Sequence, residues 1–567
     1  MIKKLTSFCI TTALACVISN TIALAQPSNL PLQSPANLLI DRLEILYHHH
    51  TPIHSDIRGY WRNDAANLAL ALDTSQALLT RRDRHDLQYL ADENNEWIPD
   101  SSRLLRYAKK PFLKTFYKTP ANLYEVNSRY FKMRVNPMIN FNLGRESGEA
   151  GILFMNQRGL EIRGDVDSKA FFYTNLVETQ ARFPAYVTNQ VKEFFAIPGA
   201  GFYKNYKGSL FDISNGYDFN VATAYVGFQV SKHIGIQLGH GQHFIGNGYR
   251  SMLLSDYANP AFFLKISTRV WRFHYQNIFL ELSPVSQVQI PDGTILPKKY
   301  AAIHYLSYRA SPRFTIGFFE ATVLHRSRQF EFQYLNPVIF YRTVEGMIGS
   351  PDNVLLGLNS KYNLRKNMQL YGQFLLDEFT LSEFFSNKGW WGNKYSVQLG
   401  AKYVNAFGID HLDLQGEYNS AQPYTYSHND PYDSYTHYNQ PLAHPLGGNF
   451  REFIGIARYQ PTARISLTVR AIHAQLGDNT TNNNWGSNPL LSYDTRVSDY
   501  GNNIGQGVNA SINLLGLDAS WMIRHNVFWD IKLLLRQKES RDPARDQTTT
   551  LMSTGVRMNL WTQNLDF

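Results

Sequence analysis

From about residue 128 to its end, the chain alternates apolar and polar residues with period two, in segments of about ten residues. Ile234, Ile236 and Leu238 alternate with His233, Gly235 and Gln237, and Tyr395, Val397, Leu399, Ala401 and Tyr403 with Ser396, Gln398, Gly400 and Lys402. The same holds for Ile465, Leu467 and Val469 against Ser466, Thr468 and Arg470, and for Val527, Trp529, Ile531, Leu533 and Leu535. Such a strand offers one face to lipid and one to water, whereas no later apolar run approaches the roughly 18 residues that a spanning helix needs. A soluble β-sandwich would alternate similarly, so the connections must decide. Short turns are expected near Arg524–Asn526, Gln460–Ala463, Asn405–Asp410, Arg365–Asn367, Ala310–Pro312 and Gly164–Asp167. Between them fall longer stretches near Lys538–Thr548, Ala474–Gly507, Asn419–Asn449, Leu381–Asn393, His325–Asn353 and Arg182–Tyr217. Short and long connections alternate, as in an outer-membrane barrel with both termini in the periplasm, and the count is about 18 antiparallel strands. Val556, Met558 and Leu560 continue the pattern towards an aromatic terminus at Phe567.

The N-terminal region reads differently. Lys3 and Lys4, the apolar stretch Ile10–Ile18 and Ala23-Leu24-Ala25 predict a signal peptide over 1–25 and hence export. Both cysteines, Cys9 and Cys16, lie in that segment, so the mature chain would have neither a disulfide nor a thiolate metal site. Residues 26–127 are expected to form a small periplasmic α-helical segment ahead of a barrel over 128–567. Ser34-Pro35 begins one helix with Leu39, Leu43 and Leu46 on one face, Asp64 is placed to cap a second, and Thr80 with Asp83 resembles a capping box for a third.

Without Lys3 and Lys4, 53 basic residues face 46 acids, a thin excess of +7 that gives no nucleic-acid footprint. No phosphate-binding loop, dinucleotide fingerprint or zinc-protease motif is present, and no cofactor is implied. His48, His49, His50 and His54 are too closely spaced along the backbone to face one ion together. Asp377 with Glu378, and Asp410 with Asp413, are adjacent in sequence, which does not place two acids across a substrate. The chain is therefore read as a non-enzyme. The expected external loops instead concentrate flat rings and amides, the groups that bind sugars. Candidate glycan-binding residues are Trp390, Trp391, Tyr424, Tyr426, Tyr432, Tyr435, Tyr438, Trp485 and Tyr500. The competing reading is that such residues build loops and the interfacial girdle of any barrel.

Three stretches carry a resemblance. The first is Gly239-His240-Gly241-Gln242-His243-Phe244-Ile245-Gly246-Asn247-Gly248, followed by Ser251–Leu254, Ser255-Asp256-Tyr257-Ala258 and Asn259-Pro260. The second is Tyr334-Leu335-Asn336-Pro337 with Asp352–Gly357, and the third Tyr371-Gly372-Gln373-Phe374 with Asp377-Glu378. Together they resemble the Wzi-type capsule-assembly outer-membrane proteins. His54–Arg62 is similar to an N-terminal motif of the RemB-like branch associated with gliding motility, with Gly59 where that branch has proline. The resemblance implies an 18-stranded barrel with a helical bundle at its periplasmic mouth, acting as a surface lectin that holds extracellular or capsular polysaccharide. It makes His240, Gln242, His243, Gly246, Gly248, Asn259 and Pro260 the family-motif residues. Partners implied are polysaccharide, outer-membrane lipid, the barrel assembly machinery and, in the motility reading, gliding or secretion proteins. A diffusion channel is the third reading, opposed by bulky inward residues such as Tyr371 and Leu375.

Overall fold

The computed structural model describes residues 28–567 apart from 50–52, 76–78, 209–212, 292, 327–330, 339, 350–351, 379 and 562–563. The expected signal peptide over 1–25, with Cys9 and Cys16, lies outside the described residues, as does His50. Eighteen antiparallel strands close into a barrel. They are β1 (Phe131–Glu146), β2 (Leu153–Val166), β3 (Ala170–Arg182), β4 (Ile213–Gln229), β5 (Ile234–Gly241), β6 (Ala261–Val270), β7 (Phe273–Leu282), β8 (Lys299–Arg309), β9 (Phe314–Leu324), β10 (Asn353–Arg365), β11 (Met368–Glu378), β12 (Lys394–Tyr403), β13 (Leu412–Ala421), β14 (Phe450–Thr462), β15 (Ile465–Asp478), β16 (Val508–Arg524), β17 (Val527–Ser540) and β18 (Gln547–Met558). Neighbours pair in sequence order, and β1 meets β18 from Ile139↔Met558 to Glu146↔Leu551, leaving no open sheet edge. The alternation has the expected sense: Ile234, Leu238, Trp529, Leu533 and Leu535 face outward, while Gln237, Gln398, Asp530 and Arg536 are buried inside.

Two expectations at the C-terminal end fail. The connection at Lys538–Thr548 shrinks to residues 541–546, because β17 runs on to Ser540 and β18 begins at Gln547, the two still paired at Lys538↔Gln547. The last strand stops at Met558, and the following residues turn into the lumen rather than extending it. Phe567 packs on Tyr186 and Tyr257 with ring centres 5.9 Å away, and Arg250 Nη1 pairs with Asp566 at 3.0 Å.

Three helices close the end that carries the short turns: α1 (Pro35–Tyr47), α2 (Arg62–Thr74) and α3 (Arg81–Glu93). Ser34 caps α1 and the Thr80/Asp83 capping box starts α3. Asp64 does not cap: α2 begins two residues earlier, behind Trp61, and Asp64 instead receives Arg269 Nη1 at 2.6 Å. The helices bury Ile40, Leu43, Leu68, Leu72, Leu87 and Leu90 against one another. The helices and the turn that follows α3 meet lumenal cations: Lys402 pairs with Asp41 at 2.8 Å, Lys361 with Glu44, and Arg163 with Glu96 of that turn at 3.1 Å.

Helix α3 also lies across three short turns. Arg82 donates to Gln460 O at 2.7 Å, His411 Nε2 lies 3.1 Å from Asp86, Tyr89 donates to Asn526 at 2.7 Å, and His525 Nε2 is 3.2 Å from Glu93. Burial pushes the Glu93 and Glu96 carboxyls up, but His525, Arg62 and Arg163 around the first, and Arg163, Arg134 and Arg62 around the second, outweigh it and hold both at about 2. Because these values lie below the ordinary 4.5, the ion pairs support docking fully above that pH and lose it as the pH falls towards 2. Hydrogen exchange over residues 35–97, corrected for intrinsic rates, should stay protected at neutral pH and open progressively in that acid window; protection unchanged to its lower limit would remove these carboxylates as the clamp.

Candidate functional site

The opposite end is filled by its own loops. Residues 242–260, between β5 and β6, fold into the lumen and place Met252, Leu253 and Leu254 in a buried core with Ile303, Phe319, Ala321 and Leu355. Inward amides and an acid of the wall grip the backbone of this hairpin. Gln373 donates to Ile245 O at 2.9 Å and accepts from Met252 N at 2.8 Å, Gln398 donates to Arg250 O at 2.9 Å, and Glu417 accepts from Tyr249 N at 2.6 Å and Arg250 N at 3.0 Å.

The motif glycines permit this approach. Gly246 has φ +135° and a Cβ there would lie 2.3 Å from Gln373 Nε2, while one on Gly248 would lie 2.7 Å from Arg250 O. Gln242 closes the base by donating to Asp256 O and Ala258 O at 2.9 and 2.7 Å, His240 meets Ala222 O at 3.0 Å, and the His243 ring abuts Phe263 at 4.6 Å. Asn259 packs under Gly201, and Pro260 is buried where β6 begins. The motif thus builds an internal plug rather than a surface. That plug meets the helical one: Gly246 N donates to Asp56 O at 2.8 Å, Asn247 to Ser55 O at 3.0 Å, and Arg58 to Gly248 O at 2.7 Å.

The loop 422–449 caps the hairpin, which corrects the reading of its tyrosines. Tyr424, Tyr426, Tyr435 and Tyr438 are buried, so they present no open face to a sugar. Tyr426 and Tyr435 donate to Met252 O and Leu253 O at 2.8 Å each, and Tyr424 to Asn484 O at 3.0 Å. The sequence shows many rings in this loop but not their direction. Tyr432 is half-buried, edge-on to His325 at 4.9 Å, and Trp485 is half-buried over Gly507. Burial pushes the His428 imidazole down to about 4, and burial with Asp430 and Asp352 nearby pushes the Asp433 carboxyl up to about 7.

What remains outside is a shelf made by the loops 379–393 and 479–507. Three backbone bonds of 2.9 Å join them: Trp391 N to Asp499 O, Gly501 N to Lys388 O and Asn502 N to Gly389 O. Trp390 and Trp391 lie 5.6 Å apart, Tyr493 sits 4.6 Å from Trp391, and the Arg496 guanidinium lies 4.3 Å from the Trp391 ring centre. Asp499 holds Arg496 at 2.6 Å, and Tyr500, 48% exposed, points its hydroxyl to Glu383 at 3.4 Å. Flat rings, a guanidinium, carboxylates and the amides of Asn502 and Asn503 stand here on a braced, solvent-facing surface. Tyr493 and Arg496 escaped the sequence reading, since nothing in the chain order shows that Trp391 lies beside them.

Paired acids do not face each other across a cleft at the positions considered. Asp377 and Glu378 share Lys394, at 3.1 and 3.3 Å, and Asp413 takes Arg42 at 2.6 Å. Among the described residues one group has ligand-like spacing, Asp83, Asp86 and His411. Arg42 lies within it, its Nη2 3.8 Å from Asp83 and 3.3 Å from His411 Nδ1, so a guanidinium already supplies the positive charge.

A family model described as "Capsule assembly protein Wzi" matches residues 139–550. Among solved structures, the chain is similar to Wzi, an outer-membrane protein involved in group 1 capsule assembly in Escherichia coli and described as a carbohydrate-binding β-barrel. That match has a TM-score of 0.58 at 12% identity and covers 95% of this chain and all of the other. OprD of Pseudomonas aeruginosa matches with a TM-score of 0.42 at 10% identity, over 75% of this chain and 94% of that one. OccAB2 of Acinetobacter baumannii gives 0.41 at 7% identity, over 75% and 97%. No curated protein matches the chain in sequence.

Adding a methyl at Gly246 forces Gln373 away from the hairpin backbone in a conformation that side chains avoid. Gly246→Ala should lower stability by about 1–3 kcal/mol, read as a shift of the unfolding midpoint of the detergent-solubilised barrel. An unchanged midpoint would show that the hairpin is not held by this contact.

Proposed function

The chain belongs to the Wzi capsule-assembly family of outer-membrane barrels, and from that membership we propose that it binds surface or capsular polysaccharide and holds it at the cell surface without catalysing a reaction. The observation that carries the site is the shelf of Trp390, Trp391, Tyr493, Arg496 and Tyr500. It is braced by backbone bonds between two loops, half-buried at Trp390, Trp391, Tyr493 and Arg496 and open to solvent at Tyr500, and built from groups that stack on pyranose rings and bond their hydroxyls. Helices fill one end of the lumen and loops the other, which leaves the outer surface rather than the lumen to meet a polymer. Many weak contacts along a repeating chain sum by avidity.

Replacing Trp390 and Trp391 together by Ala should weaken binding of purified capsular polysaccharide about tenfold or more, at about 0.5–1.5 kcal/mol per ring. Tyr426→Phe, inside the cap, should leave binding unchanged. Equal loss in both variants, or in neither, would remove the shelf as the binding surface. In cells lacking the protein, polymer should appear in the medium with synthesis unaltered.

The finer RemB-like placement is a second reading, favoured by His54–Arg62 and by long outer loops suited to protein contact. Its motif has an internal role here: Tyr305 donates to Asp56 at 2.6 Å, and His54 Nδ1 lies 3.0 Å from Ser307. Gly59 has φ +77°, which the proline of that branch cannot adopt, so this segment departs locally from the branch. Recovery of gliding or secretion proteins by crosslinking in live cells would support it. The barrel assembly machinery is the partner that any such barrel needs to reach the membrane.

A further inference from the structure

One arc of the barrel breaks the rule that outward residues are apolar and open. In β9, Phe319, Ala321 and Val323 point into the core, and Phe318 is outward and 51% exposed. Glu320, Thr322 and Leu324 share the outward parity of Phe318, yet all three are buried. In β8, outward Ala302 and His304 are buried too, as are Asn277 and Phe279 in β7. Asn277, His304 and Glu320 are cross-strand neighbours, so they form one polar row near the middle of the wall's outer face. His304 Nδ1 lies 3.5 Å from Glu320. Ionisable and amide side chains there are costly against hydrocarbon unless something covers them.

The cover is supplied by residues 331–338 and 340–349 of the connection between β9 and β10, with the helix Tyr341–Ile348. It runs down the outside of the wall. Tyr341 stacks on His304 at 3.9 Å, Arg342 N donates to Glu320 at 3.2 Å, and Pro337 O accepts from Tyr275 at 2.7 Å and Asn277 at 3.3 Å. Tyr334, Tyr341 and Val344 turn inward onto Phe279, Ala302 and Leu324. Val338, Phe340 and Met347 turn away and are 84%, 73% and 70% exposed.

We infer that residues 331–338 and 340–349 form a strap embedded in the membrane, which seals the polar row and presents Val338, Phe340 and Met347 to lipid acyl chains. The occupant follows from position: the strap's outer face continues the exposed band of Phe318 on β9 and of Phe262 and Leu358 on the flanking strands β6 and β10. It also follows from height, since its contacts reach His304, the central residue of an 11-residue strand, rather than its rim. The inference rests on the outer-membrane reading of the barrel.

The test uses single cysteines in a Cys9→Ser, Cys16→Ser background, labelled with bimane, in vesicles of phosphatidylethanolamine and phosphatidylglycerol. Phe340→Cys probes the strap, Phe318→Cys the wall and Phe385→Cys an outer loop. Phe340→Cys should follow Phe318→Cys, quenched by acyl-chain doxyl lipid and shielded several-fold from iodide, while Phe385→Cys shows the reverse. Iodide quenching of Phe340→Cys places the strap in water and overturns the inference. Shielding from both quenchers, or a disulfide between two copies at Phe340→Cys, means that protein covers this face, and overturns it too. Failure of doxyl quenching at Phe318→Cys as well would overturn the placement of the whole barrel, not the strap alone.

Discussion

The architecture depends on charge complementarity between an acidic helical plug and a basic lumen. Asp41, Glu44, Asp64 and Glu96 each meet a cation on a different part of the wall: Lys402, Lys361, Arg269 and Arg163. Buried pairs of this kind cost desolvation that offsets much of their attraction, so their main contribution is to fix one orientation. An apolar plug of equal volume could rotate in the barrel. Four pairs distributed around the lumen, with α3 laid across three turns, leave one seating.

That seating passes to the far end through the segment 53–61. Its backbone bonds to the hairpin 242–260, the hairpin carries the cap 422–449, and Tyr424 and Tyr493 tie the cap to the loop 479–507. The shelf rings therefore stand on a filled core rather than on free loops. A binding surface held in this way orders little on engaging a polymer, and small stacking gains are not lost to entropy.

The barrel was legible because its physics is repetitive: each strand repeats the same inside–outside choice, and short turns alternate with long loops. The helices were legible at their caps, Ser34 and Thr80, and missed at Asp64, where an ion pair to Arg269 outweighs capping. The site was legible in composition only. Tyr426 and Tyr500 look alike in sequence, but one fills the cap and the other faces water, and that difference is set by residues far along the chain. The tail was misread because alternation continues into Leu560, which turns inward onto Met138 and Val177. The polar row Asn277, His304 and Glu320 did break the outward pattern, a signal visible in the sequence once strand parity is assigned.

The clamp on α3 also sets a time order for folding. Glu93 and His525 are 432 positions apart, and Arg42 and Asp413 are 371 apart, so neither contact can form until strands made late in synthesis are in register. Contacts of such sequence separation are slow to close. The helices made first are seated last, and their locking marks the completed ring: a chain that stalls before β16 and β17 join holds an unsecured plug and stays open to proteolysis.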